Sequence, residues 1–114
     1  MLIDNIDPNV KKQLRELASR ALDAELEQPL GHLAEAFDLW KLKSITNLDL
    51  DRRIYDYERG RRKELAELYD STSPDVLVAR ALGRGILSAE QVPQNISDIL
   101  GSLITQFKRG LVNF

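Results

Sequence analysis

The chain has 114 residues, 43% hydrophobic and 30% charged, so it is long enough to bury roughly two-thirds of its unfolded surface in one domain and too apolar for a disordered or collagen-like polymer. It contains no cysteine, which excludes disulfide scaffolds, thiolate zinc sites and cysteine nucleophiles. Its net charge of −2 gives no bulk attraction for nucleic acid, and no apolar run approaches the ~18 residues of a membrane span. The acidic start lacks the basic region of a secretory signal, so the expected location is cytoplasmic.

Helical periodicity dominates, and the expected fold class is all-α. Asp7-Pro8 predicts a helix start, because Asp7 can cap and Pro8 suits a first position whose N–H would be an orphan anyway. Val10, Leu14, Leu17, Ala21 and Ala24 then form one apolar stripe, and Pro29 is expected to end or bend the helix. In the next segment Leu30, Leu33, Phe37 and Trp40 share a side. Ala34, Ala36, Leu39 and Leu42 widen that stripe past half the circumference, which calls for partners on two sides.

Asp49 to Asp70 reads as a long charged helix with Ile54, Tyr57, Leu65, Leu68 and Tyr69 as its apolar positions, and Gly60 marks a place for a kink or break. Ser73-Pro74-Asp75 opens a helix, Val76–Leu82, that is apolar nearly all round and is expected to be the best-buried element, stopped by Gly83 and Gly85. Ser88-Ala-Glu-Gln91 has capping-box spacing. Asn95 to Asp98 opens the last helix, with the stripe Ile96, Leu100, Leu103, Ile104, Phe107 and Leu111. The expected layout is a single domain, 1–114. Its first 70 residues form a long helical pair and the dimerisation part, and residues 71–114 form a compact helical head.

Catalytic equipment is sparse. His32 is the sole histidine, beside Gly31, and an enzyme would need it in a concave pocket with a carboxylate. Asn47, Asp49, Asp51 and Glu58 fall at positions 1, 3, 5 and 12 of a calcium loop, but Arg52 stands where the turn glycine belongs, and the reading is rejected. Ser88–Pro93 is too short and acidic to be the recognition helix of a helix-turn-helix. No metal, cofactor or catalytic residue is predicted.

Two surfaces remain. Arg52, Arg59 and Arg62 lie at i, i+7 and i+10, with Tyr55 in the same face and Arg53, Arg61 and Lys63 flanking, a pattern that could track phosphates and stack bases. Six cations against four carboxylates over 49–63 leave only +2 there, so salt bridging within or between subunits is the stronger reading and nucleic acid the alternative. The second surface is the aromatic surplus around Phe37, Trp40 and Lys41, which is either core or, since a tryptophan on such a face is a typical anchor, a partner interface. The predicted partner-binding residues are therefore Phe37, Trp40, Lys41, Arg52, Arg59 and Arg62, in a homodimer that binds another protein and no membrane.

Phe37-Asp-Leu-Trp-Lys-Leu42 resembles the Asp-Leu-Trp-Lys-Leu segment of the fluorescence recovery protein family of cyanobacteria and its relatives. Arg62-Lys-Glu-Leu65 and Tyr69-Asp70 resemble that family's Arg-x-Glu-Ile-Asp and Tyr-Asp elements. The run from Val76 to Glu90 resembles its apolar helix, glycine turn and acidic helix start. Two features depart from the family: a longer spacer between Trp40 and Arg62, and Lys43-Ser44 in place of a polar His-Asp pair. The resemblance implies a small all-helical homodimer that is not an enzyme. It also implies binding to a light-activated orange carotenoid protein to speed its return to rest, with Trp40 and Arg62 as the interface residues.

Overall fold

The computed structural model describes residues 7–114; the acidic start and the rest of 1–6 lie outside the described residues. The fold is all-α, with no strand among the described residues. A 34-residue helix α1 (Pro8–Lys41) is followed by α2 (Asn47–Arg59), α3 (Arg61–Ser71), α4 (Pro74–Gly83), a 3-10 turn (Ala89–Gln91) and α5 (Gln94–Lys108). Two compact units are distinguished. One gathers the start of α1 up to Ala24 with Ser71–Phe114, and the other is Glu25–Asp70.

In the first unit the α1 stripe is buried at Leu14, Leu17, Ala18 and Ala21, although Val10 is half-buried and Ala24 exposed. Helix α4 is the best-buried element, as its composition predicts, with Leu77, Val78, Ala79 and Ala81 in the core. Its Asp75 and Arg80 are buried with them. Ser73 caps α4 through its extended backbone alone, and Pro74 fills the first position. Helix α4 ends at Gly83, as expected, and α5 packs there so closely that no side chain would fit. The turn itself falls at Gly85, at φ +75°. The Ser88 box forms as predicted, its N–H donating to Gln91 Oε1 at 2.8 Å. Helix α5 starts one residue earlier than the Asn95 reading, capped by Pro93, and Gln94 donates to Asp98 at 2.8 Å. Ile96, Leu100 and Phe107 are buried, while Leu111 falls beyond the helix end and is exposed.

In the second unit Pro29 does not end α1. A mid-helix proline removes one ladder bond at a cost of ~3 kcal/mol, yet the helix continues, since packing can outweigh propensity. The charged helix starts at Asn47 rather than Asp49, because Thr46 and Asp49 close a capping box in which Thr46 N–H donates to Asp49 Oδ2 and Asp49 N–H to Thr46 Oγ1, both at 3.0 Å. Gly60 splits this helix in two. A Cβ there would stand 2.7 Å from the Asp56 carbonyl oxygen, so the geometry that ends α2 requires a residue without one. The would-be calcium positions Asn47–Glu58 are thereby helix, not loop.

The hydrogen bonds from the Thr46 backbone and hydroxyl, aided more weakly by Arg53 and Arg52, hold the Asp49 carboxyl below its usual range. A lowered carboxylate pKa adds stability above the unfolded value and loses it as pH falls through the folded one. Thr46→Ala loses the hydroxyl but keeps the backbone N–H, so it is expected to weaken α2 by about 1 kcal/mol and to raise the Asp49 titration only part of the way to the ordinary value. A carboxyl-carbon NMR titration of both proteins reads the change; an unmoved Asp49 midpoint would contradict the contribution of the Thr46 hydroxyl.

Candidate functional site

Residues 25–70 bury few apolar side chains. Only Ala36, Leu50 and Leu65 are buried there, while Leu30, Trp40, Leu42, Leu48 and Tyr55 stand exposed. Leu48 is 81% exposed, Leu42 74% and Tyr55 55%. This is the reverse of a self-sufficient core.

Trp40 sits at the α1–α2 turn, where its indole N–H donates to Asn47 Oδ1 at 2.7 Å and its ring meets the edge of Phe37 with centroids 6.4 Å apart. Trp40 is nonetheless 38% exposed, so it is neither core nor free anchor but a pinned aromatic with an open side. Phe37 is half-buried, and Lys41 closes α1 exposed to solvent. Trp40 and Lys41 line one shallow hollow with Lys43, Ile45 and Thr46.

The arginines do not form one helical face. Gly60 places Arg52 and Arg59 on α2 and Arg62 on α3. Arg52 lines a hollow with Leu48 and Tyr55, whereas Arg59 and Arg62 share another with Lys63, Tyr57 and Glu58. Arg59 stacks over the Tyr55 ring, 5.2 Å from its centroid. Leu48, Arg52, Tyr55 and Arg59 are spaced 4, 3, 4 along α2 and all exposed, the seam spacing of a helix that pairs with another helix.

His32 is exposed, and no local pattern in the sequence places it at a pocket. It lines a cavity of about 280 Å³ with Pro29, Leu33, Arg53, Asp56, Tyr57 and Arg61. That cavity contains His32 and a carboxylate, the combination an enzyme would need, yet no serine or threonine nucleophile is among its lining residues. The signal was present in the i, i+4, i+8 spacing of Arg53, Tyr57 and Arg61 and the i, i+4 spacing of Pro29 and Leu33, but only the packing of α1, α2 and α3 brings the two sets together.

Among the described residues no cluster of histidine and carboxylate side chains is arranged to hold a metal ion, and no helix is long and apolar enough to cross a membrane. Comparison with known proteins finds no matching family model, no matching curated protein and no matching solved structure.

Proposed function

We propose that this chain is a non-enzymatic regulatory protein that works by binding protein, first a second copy of itself and then a partner. The observation that carries this reading is the inverted burial of residues 25–70, with three apolar side chains buried and five large ones exposed. A unit of that size is hard to stabilise alone, and association is a common remedy. The Leu48–Arg59 seam of α2 suits a helix of the second copy, since arginines at seam positions can stack on the facing copy's Tyr55 and meet the carboxylates Asp49, Asp51, Asp56 and Glu58 that flank the seam.

The partner surface is Phe37, Trp40, Lys41 and Arg62, together with whatever part of Arg52 and Arg59 the second copy leaves open. The motif likeness around Trp40 and Arg62 names the partner as a carotenoid-binding photoprotection protein. The alternative is nucleic acid held by Arg59, Arg62 and Lys63, which outnumber Glu58 in their shared hollow.

The experiment is a titration against a purified orange carotenoid protein, light-activated and dark, and in parallel against a DNA duplex at two salt concentrations. The reading expects light-dependent protein binding, weakened about tenfold or more by Trp40→Ala or Arg62→Ala, as interface anchors behave. Binding to the duplex that falls steeply with salt and is lost in Arg59→Ala or Arg62→Ala would replace this reading with the nucleic-acid one.

A further inference from the structure

The cavity around His32 shares Asp56 with the hollow along the Leu48–Arg59 seam, but the rest of its lining is distinct and has its own chemistry to explain. Pro29 and Leu33 give it an apolar floor from α1, and the half-buried Tyr57 adds a ring from α2. His32, Arg53, Asp56 and Arg61 give it a polar wall from three helices. At about 280 Å³ it is at the small end of ligand cavities, which commonly run from about 300 Å³ upward.

Arg61 is paired with two carboxylates. Its Nη2 meets Glu25 Oε1 and its Nη1 meets Glu64 Oε2, both at 3.4 Å. Glu25 has a side chain only 7% exposed and also accepts a hydrogen bond from the Tyr69 hydroxyl at 2.5 Å, so the carboxylate orienting Arg61 is itself held. A guanidinium carries five N–H donors, and two carboxylates engaged at one atom each leave several unused. Arg53 makes no ion pair among the described residues. Two guanidiniums thus line one cavity with an apolar floor, and an arginine fork can match a carboxylate bidentately. Asp56 in the same wall opposes a dianion and so selects a single negative charge.

We propose that the cavity lined by Pro29, His32, Leu33, Arg53, Tyr57 and Arg61 binds a small organic monoanion, a carboxylate carried on a flat apolar body. The anion sits on Arg53 and Arg61, the body lies against Pro29, Leu33 and Tyr57, and His32 completes the polar rim. The proposal does not rest on the protein-binding reading, although Asp56 belongs to both surfaces.

The test is an amide NMR titration of the full chain with benzoate, benzyl alcohol and benzylamine as matched anionic, neutral and cationic probes. Benzoate is expected to shift residues 31–33 and 53–61 saturably, with neither of the others doing so. Arg53→Gln is expected to weaken benzoate about tenfold, the usual consequence of losing a hydrogen bond to a charged group. Arg53→Lys should fall between, since it keeps the charge and loses the fork. Arg53 is exposed, and an unchanged amide spectrum outside the cavity shows that the variant is folded; Arg61→Gln supplies an independent second variant. Equal shifts from benzyl alcohol, tighter binding of benzylamine, no saturable shift with benzoate, or an unchanged benzoate affinity in both variants would overturn the proposal.

Discussion

Gly83→Ala is expected to destabilise the chain by about 1–3 kcal/mol, the usual cost of forcing extra volume into a packed interface. The direction is opposite to the helix-propensity expectation, because replacing a helical glycine by alanine normally gains up to ~1 kcal/mol. Contact decides the sign. An alanine Cβ at 83 would stand 2.5 Å from Phe107 Cβ, 3.0 Å from the Ile104 carbonyl oxygen and 3.1 Å from the Lys108 nitrogen, none of them the mobile end of a side chain. Helix α5 would have to withdraw from α4, loosening Phe107 within the core. Gly101→Ala is the matched control, for it lies inside α5 with nothing within 4 Å of a new Cβ. It should gain about 0.5–1 kcal/mol. Urea midpoints of the two variants should therefore move in opposite directions, and a Gly83→Ala protein as stable as the Gly101→Ala one would contradict the close α4–α5 approach.

The second large effect concerns residues 25–70. Leu65 is their one large side chain with no exposure at all. Leu65→Ala is expected to lose about 2–5 kcal/mol, the range for emptying a buried leucine site. At roughly 4–8 °C per kcal/mol for a small domain, the melting temperature should fall by on the order of 10 °C or more. Leu48→Ala, at a highly exposed position, should stay within about 0.5 kcal/mol in the monomer. A thermal melt of both variants checks the contrast; a small Leu65 effect would mean that this unit does not depend on its few buried residues.

Most helices were legible because their signals are local. The Ser88 box, the Ser73-Pro74 start and the α5 stripe all reside within one or two turns of chain. Three features needed the third dimension. Pro29 reads as a stop or a bend, and α1 runs through it, because propensity is a weak term against packing. Gly60 reads as either kink or break, and only its contact with the Asp56 carbonyl makes it a break, which in turn dissolves the single Arg52–Arg62 face. Gly83 reads as a stop signal, and α4 does end there, but the close approach of α5 that demands a glycine is not in the local pattern. The candidate site was legible as residue types but not as groupings. Trp40 was open between core and surface, and its bond to Asn47 with a face still exposed is a middle case that periodicity cannot express. His32 acquires its neighbours from helices 21 or more positions away, which no local pattern encodes.

The central claim is that residues 25–70 are completed by a second copy of the chain. Light scattering in line with size-exclusion chromatography, run across a concentration series, tests it most directly. The account predicts a particle near twice 13.0 kDa, falling to 13.0 kDa when Leu48→Asp and Tyr55→Asp place carboxylates on the α2 seam. A wild-type chain that remains at 13.0 kDa at every concentration would contradict it.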